Sequence, residues 1–573
     1  MREILKNKIK QIIQDLSQSE ESWRVLNSED FSFEVSLARD EKFGDLASNV
    51  AMVLAGRLRQ NPLAVAKIIV EKLQEESDPR IAKIETVLPG YINFYFSKKY
   101  LAEEIEKIIK AEGNWGKSDI LAEKRYIFEH SSPNLFKPFH IGHLVNNSIG
   151  ESLARIIKKC GADLQTLSFP SDISPGIAKT VWAIKEKGWQ KEMTIERIGQ
   201  AYVSGVAAYK EDEAAKKEID KINEILYKKE KSEEWEIYEQ GKKMSLDYFK
   251  TITERLGSRF DDLIFESEAE SRGKELVKKN TPEIFTESAG AIIFPGSKYG
   301  LFDNVFVNSQ GFGTYLAKDL GLLELKFERF KFDNSVTITD VEQREHFKLV
   351  QKAGSLMNGE WAEKSEFIQH GRLSFSGEKI SSRLGNVPLA EDLINKVKEK
   401  IFAKMEQQNF SPAEKESIAE KVAIGALKYS ILKSGAGKNI VFDFEKATSF
   451  EGDTGPYLQY ALVRLNSVLK NAKEAQLEIE PDLKERASEI PLVEKMILQF
   501  PLMVEKSFSD RSPHHLANYL FKLSSEFSSF YAQTKIVDAA NPDLKNNLML
   551  TKALQITLEN GLELLGLERL ERM

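Results

Sequence analysis

Two histidines three residues apart close the run Glu129-His-Ser-Ser-Pro-Asn-Leu-Phe-Lys-Pro-Phe-His140-Ile-Gly142-His143, where an extended segment gives way to a helix. A helix N-terminus presents unpaired N–H groups and the positive end of the peptide dipoles. His140 and His143 can therefore donate to phosphate oxygens there, while Gly142 leaves room for a nucleotide. Taken alone, such a pair is more often a cap or a packing contact. A second run, Ser376-Gly-Glu-Lys379-Ile-Ser381-Ser-Arg383-Leu-Gly-Asn, is a Gly-flanked basic loop after a strand. It suits closure over a triphosphate, and by itself reads as well as a surface hairpin. In Gly313-Thr-Tyr315-Leu-Ala-Lys-Asp319 the tyrosine and aspartate lie one helical turn apart, so a planar cation could meet a carboxylate and a phenol together. A buried tyrosine beside an exposed aspartate is the plainer account. Tyr457, Tyr460 and Arg464 share one helical face beside Leu458, Leu462 and Leu465, which read as core.

The elements that must hold these residues follow from hydrophobic periodicity. An extended run from Lys124 to near His130, a turn with Pro133 and Pro138, a helix carrying Leu144, Val145, Ile149, Leu153, Ile156 and Ile157, a stop at Gly161 and a strand from Leu164 to Phe169 make a βαβ unit. That unit builds a parallel, doubly wound α/β sheet. Charged helical sequence from about 185 to 260 reads as a helical insertion with a solvated surface. Strands are predicted at Ala291 to Phe294, Val305 to Asn308, Ser335 to Thr339 and Phe367 to Phe375, with helices starting near Thr314 and from Glu345. After Val387-Pro388 the chain reads as nearly all helical, a bundle of about 180 residues. The first 120 residues mix helices with short strands. A turn at Lys42 to Asn49 opens a helix through Ala64 or beyond, and a strand Tyr91 to Phe96 puts Tyr91 and Asn93 on one face and Ile92 and Phe94 on the other.

The 573-residue chain is 42% hydrophobic and 29% charged, which excludes disordered, collagen-like and membrane-spanning classes. Ile4, Leu5, Ile9, Ile12, Ile13 and Leu16 keep helical spacing, but Glu3 and Asp15 interrupt them, so the N-terminus reads as a folded helix rather than a signal peptide. The single cysteine, Cys160, makes no intramolecular disulfide, and with seven histidines no thiolate zinc site. The expectation is a cytoplasmic protein without a structural metal. A net charge of −7 argues against coating nucleic acid non-specifically and permits a local basic groove.

The histidine pair and the basic loop together resemble the H-I-G-H and K-M-S-K-S signatures of class I aminoacyl-tRNA synthetases. Within that class the chain resembles the arginyl-tRNA synthetase family over nearly its whole length. Ser131 to His143 is similar to that family's form of the first signature, and Glu451-Gly-Asp-Thr-Gly-Pro-Tyr-Leu-Gln-Tyr460 with Arg464 to its motif at the head of the helical domain. Pro513-His-His-Leu-Ala-Asn-Tyr-Leu, Phe530-Tyr531 and Gly561-Leu-Glu-Leu-Leu-Gly resemble its anticodon-binding bundle. Phe43-Gly-Asp-Leu-Ala and Pro89-Gly-Tyr-Ile-Asn-Phe resemble its N-terminal domain.

The resemblance implies three domains: an α/β tRNA-elbow domain over 1–120, a Rossmann-type catalytic domain over 121–395 with the insertion, and an all-α anticodon-binding domain over 396–573. It implies a monomer that takes ATP with Mg²⁺, L-arginine and tRNA(Arg) as substrates. Lys137, His140, His143 and Lys379 would be catalytic, with Gly142, Ser381 and Arg383 also against ATP. Tyr315, Asp319 and Glu266 would hold the guanidinium, Asn134 and Glu129 the α-amino end, and Gln343 and His346 the pocket rim. Tyr91, Asn93, Tyr457, Tyr460 and Arg464 would meet tRNA. A non-catalytic tRNA-binding paralogue, or another class I nucleotidyltransferase, is the rival reading. Two departures stand out. Ser168-Phe-Pro-Ser-Asp172-Ile-Ser-Pro-Gly replaces a family stretch of which only Asp172 survives, and Ser382 holds the place of the signature's second lysine, for which Lys137 is the expected substitute.

Overall fold

The computed structural model describes residues 1–26, 31–38, 41–376, 388–405, 409–477 and 486–573. Two compact units result: Met1–Trp115 with Arg464–Phe500 and Leu523–Thr557, and Gly116–Val463 with Pro501–Lys522 and Leu558–Met573. The boundary expected near 395 is not a unit boundary, because residues Ala390 to Ala447 share one core with Phe139, Leu144 and Val145 of the first signature.

In the larger unit five parallel strands lie in the order Ser365–His370, Asn334–Asp340, Arg125–Glu129, Asp163–Ser168, Asp262–Leu263. Tyr126, Ile127 and Phe128 are all buried on the central strand, as expected of a sheet covered on both faces. Strand order reverses between Arg125–Glu129 and Asn334–Asp340, and such a switch point opens a crevice at the carboxyl ends of its strands. The helix Ile141–Lys159 leaves this crevice with Leu144, Val145, Leu153, Ile156 and Ile157 buried, and Gly161, at φ 101°, ends it as predicted.

Several expected elements need correction. The strand read over Phe367 to Phe375 is two strands, Ser365–His370 and Leu373–Phe375, broken at Gly371. The second pairs in parallel with Ile440–Phe442, a strand inside sequence read as helical. Asn304–Val307, Ala291–Phe294 and Thr286–Ser288 form an antiparallel sheet of their own. Its Phe294 and Phe306 pack with Phe285 against Leu316, Ala317 and Leu320 of the helix Tyr315–Arg329. The insertion begins earlier than 185, with Pro175–Glu186, and continues through Ile195–Glu211, Glu213–Lys228 and Glu233–Arg255. It is more than a solvated surface: Ile177, Val181, Ile184, Ile198, Ile222 and Leu226 give it its own apolar core.

In the smaller unit the helix Arg2–Ser19 buries Leu5, Ile9, Ile12, Ile13 and Leu16. The helix expected to run from Asn49 through Ala64 is two helices, Val50–Leu58 and Pro62–Glu75. Arg59 turns left-handed, at φ 52°, and Asn61 is extended before Pro62, its side chain accepting from the Leu63 amide. Four antiparallel strands lie in the order Val35–Leu37, Leu46–Ser48, Tyr91–Phe96, Ile81–Val87. Ile92 and Phe94 are buried as expected, but so is Asn93, at 2% exposure, leaving Tyr91 the half-exposed member of its pair. Among the described residues no helix is long and apolar enough to cross a membrane.

Candidate active site

His140 is the N-cap of the helix Ile141–Lys159 and is itself extended, at φ −102° and ψ 172°. Its Nδ1 accepts from the amides of Gly142, at 3.1 Å, and His143, at 3.4 Å, while the His140 amide donates back to His143 Nδ1 at 3.3 Å. This is a reciprocal capping box made by two imidazoles. The rings stack with centroids 3.7 Å apart and planes at 17°. A Cβ on Gly142 would lie 2.9 Å from the His140 ring, so only glycine leaves that space open. Burial, then Lys137, lowers the His140 pKa to about 4, and burial, then His140 and Lys137, holds His143 well below its usual range. Both rings are therefore neutral near pH 7. With each Nδ1 accepting a backbone proton, each Nε2 carries the ring proton and is a free donor by chemistry. Lys137, whose charge acts on both rings, lies with its Nζ 4.2 Å from the centre of the Tyr202 ring on the helix Ile195–Glu211. Two neutral donors, a helix N-terminus and one ammonium thus converge, a combination that favours a bound polyanion.

The second cluster is acidic. Tyr315, 57% exposed, opens the helix Tyr315–Arg329, and Asp319 follows one turn later. Asp319 Oδ2 lies 2.5 Å from His346 Nε2. Glu266, at the start of the helix Glu266–Lys279, is 7% exposed and accepts from Lys318 Nζ at 2.6 Å and Ser171 Oγ at 2.7 Å. Burial raises the Glu266 pKa, Lys318 opposes the rise, and Asp319 adds to it. The Asp319 charge thus disfavours the anionic form of Glu266, with Tyr315 one turn before Asp319 on the same helix, an environment that a cation relieves. Lys318 also donates to the Ile173 carbonyl at 2.8 Å, inside the altered Ser168 to Gly176 stretch.

Other expected residues are placed differently. Glu129, 5% exposed, lies 2.5 Å from the buried ammonium of Lys326 and accepts from Thr337 Oγ1 at 3.3 Å. Asn134 forms an isolated backbone bridge with Ser171, and Gln343 is exposed at the N-cap of the helix Arg344–Met357. Lys379, Ser381, Ser382 and Arg383 lie outside the described residues. Asp172, fully buried, accepts from Lys242 Nζ at 2.7 Å and from the Ser267 amide and hydroxyl at 2.8 Å. It ties the insertion to the segment that carries Glu266, which makes it a structural hub. Tyr457 packs edge-on against Phe521 at 5.9 Å. The Arg464 guanidinium lies 5.3 Å from the centre of the Tyr531 ring. Sequence reading missed Lys318 and Lys326; each is a lysine on the apolar face of its helix, and that position was the available signal.

Three family models match this chain: "Arginyl tRNA synthetase N terminal domain" over 3–96, "tRNA synthetases class I (R), catalytic domain" over 104–444, and "DALR anticodon binding domain" over 458–573. The catalytic match takes in both the His140 turn and the Tyr315–Asp319 helix. The chain belongs to the arginyl-tRNA synthetase family. An arginine–tRNA ligase of Treponema denticola is 30% identical over 93% of each chain, and one of Clostridium acetobutylicum is 30% identical over 90% of this chain and 92% of its own. The arginyl-tRNA synthetase structure from Thermus thermophilus superposes with a TM-score of 0.80, covering all of both chains at 24% identity, which speaks to the fold. Both the His140 turn and the acidic cluster of Glu266 and Asp319 lie in the larger unit.

Proposed function

We propose that this chain joins arginine to tRNA(Arg) in two steps. The arginine carboxylate attacks the α-phosphorus of ATP, forming arginyl-adenylate and expelling pyrophosphate; a ribose hydroxyl at the tRNA 3′ end, the 2′-hydroxyl by resemblance to class I enzymes, then attacks the arginyl carbonyl and AMP leaves. The observation that carries this reading is the stacked pair His140 and His143, neutral and with both Nε2 protons free to donate, at a helix N-terminus in the switch-point crevice. Phosphoryl and nucleotidyl transfers need positioned charge more than covalent help, so His140, His143, Lys137 and Lys379 would clamp the triphosphate, with Gly142, Ser381 and Arg383 beside it and Mg²⁺ as its counter-ion.

Tyr315, Asp319 and Glu266 would hold the guanidinium, which exchanges for the His346 contact on Asp319. Asn134 and Glu129 would face the α-amino end, and Gln343 the rim. Residues 1–120, through Tyr91 and Asn93, would bind the tRNA elbow, and the helical part from 396 the anticodon, with Tyr457, Tyr460 and Arg464 near RNA. A cytoplasmic monomer fits this role. Charging assays with the twenty amino acids and total tRNA test the reading. Arginine alone should be attached, and failure to attach it would favour the non-catalytic paralogue.

A further inference from the structure

The chain leaves the central strand, Arg125–Glu129, through a left-handed residue, Ser131, at φ 56°, and so enters the turn that ends at His140. A non-glycine residue holds that conformation only when its surroundings fix it. Two consecutive side chains of the signature helix do so. The Ser131 amide donates to Asn146 Oδ1 at 2.7 Å, and Asn147 Nδ2 donates to Ser131 Oγ at 3.0 Å. The other end of the Asn146 amide reaches across the switch point, where Nδ2 donates to the Ile338 carbonyl at 2.9 Å and lies 3.3 Å from His370 Nε2. His370 Nδ1 is 2.9 Å from the Gly371 carbonyl, so that nitrogen carries the proton and Nε2 is the acceptor. Both N–H groups and the oxygen of the Asn146 amide thereby have partners, with one arrangement of protons. One side chain, one turn beyond His143, joins the exit of the central strand to its neighbour Asn334–Asp340 and to Ser365–His370, the strand beyond that neighbour.

We infer that Asn146 is a positioning residue for the reaction: it sets the Ser131 to His140 turn, and through it the two histidine donors, against the strands Asn334–Asp340 and Ser365–His370. This inference rests on the reading that those histidines grip the triphosphate. Displacement of a catalytic turn by about 1 Å can cost about a hundredfold in rate. His370 is 4% exposed, and burial lowers its pKa, with Asp340 opposing and Arg372 reinforcing the shift; Lys438 and Arg511 line the same hollow. It is neutral at the pH of assay and has no proton to offer at Nε2.

That predicts an unusual pH response for Asn146→Asp. The introduced carboxylate still accepts from the Ser131 amide, but its second oxygen meets the Ile338 carbonyl and a His370 nitrogen that is also an acceptor. One proton more, on the imidazole or the carboxyl, restores a donor. Exchange of pyrophosphate with ATP, measured with arginine and tRNA, should fall about 10- to 100-fold in Asn146→Ala, in kcat and with the KM for arginine within about twofold. In Asn146→Asp the rate relative to the unsubstituted chain should rise as pH falls from about 8.5 to about 6. Adding His370→Gln, whose amide supplies a donor at any pH, should raise that relative rate at alkaline pH and flatten its dependence. Melting temperatures identify a variant that has merely unfolded, and the pH arm then decides on Asn146→Asp alone. A normal kcat in a folded Asn146→Ala, or a relative rate that is flat or falls on acidification in Asn146→Asp, overturns the inference. A His143→Asn chain with undiminished exchange would instead dispose of the nucleotide-gripping reading, whatever the Asn146 variants do.

Discussion

In the His140 to His143 turn the capping hydrogen bonds run between residues two or three apart, whereas Asp319 and Glu266 find partners 27, 52 and 95 residues away. The cap itself is therefore closed by bonds within its own helix, while the turn around it is also held from elsewhere, by Asn146 on the Ser131 amide and by the Pro388 carbonyl on the Ile141 amide. The acidic hollow is assembled by tertiary packing and already holds partners, the His346 ring on Asp319 and the Lys318 ammonium on Glu266. A triphosphate would add contacts to a finished turn, while a guanidinium must trade places with a group in residence. Rate losses should thus follow damage to the first region, and losses of arginine affinity damage to the second.

The largest effect expected is on the second region. Asp319→Asn removes the charge of a fork-shaped contact, and arginine kcat/KM should fall by on the order of a hundredfold or more, mostly through KM. Lysine should remain a poor substrate, because an ammonium cannot fill both arms of the site. Unchanged arginine kinetics would remove Asp319 from the pocket. The matching change in the first region, Lys137→Ala, should lower kcat of activation by on the order of a hundredfold while arginine KM hardly moves. Lys137 reaches both histidines electrostatically, and Ser382, a hydroxyl at the second lysine of the basic signature, leaves the charge on pyrophosphate for another cation to meet. Adding Ser382→Lys should recover part of the loss if the two positions serve one phosphate. If arginine KM rather than kcat carried the Lys137→Ala defect, the contrast between the regions would fail.

A middling effect, of about tenfold, is expected from Lys318→Met. Glu266 is buried, and without the ammonium nothing but Ser171 offsets the burial that raises its pKa; a carboxyl that is more readily protonated is a weaker partner for a guanidinium, and arginine KM rises. Breaking a buried pair by removing one partner costs about 3 kcal/mol, so denaturant unfolding should show the loss as well. A variant with native stability and native KM would place the Glu266–Lys318 pair outside both roles.

What could be read from the residues divides along the same line. The signature helix, its Gly161 stop, the parallel sheet and the histidine cap are written in spacings of three or four residues and in local turn chemistry. Asn61-Pro62 carried a readable start signal as well, and the single helix expected there fails because Pro62 opens a new one. Ile440–Phe442 was illegible: three residues within helical surroundings become a strand only because Leu373–Phe375 lies beside them. Glu129 and Glu266 were legible as acids near a site, but the lysines that neutralise them come from the helix Tyr315–Arg329, and no local pattern joins the two.

The smallest effect concerns protonation of the histidine cap and tests whether that cap is shielded in the folded chain. His140 titrates at about 4 in the folded chain, against 6.5 for an unburdened imidazole, first because of burial and then because of Lys137. A neutral folded ring and a protonated unfolded one mean that the unfolded state binds the extra proton below about pH 6.5. The contribution of His140 to stability is accordingly whole above that pH and declines as pH falls toward 4. His140→Asn keeps a side-chain oxygen that can cap the same amides but cannot titrate, so its stability should fall less steeply over that window than that of the unsubstituted chain. The difference is read from denaturant midpoints between about pH 6.5 and pH 4.5. The complementary measurement is the imidazole proton shift of His140 by NMR, which should hold steady through pH 6.5. A native His140 resonance that titrates near 6.5 would mean that solvent reaches the cap and that its two Nε2–H donors are not fixed before the nucleotide arrives. The contrast between a preformed turn and an exchanging hollow would then have to be given up.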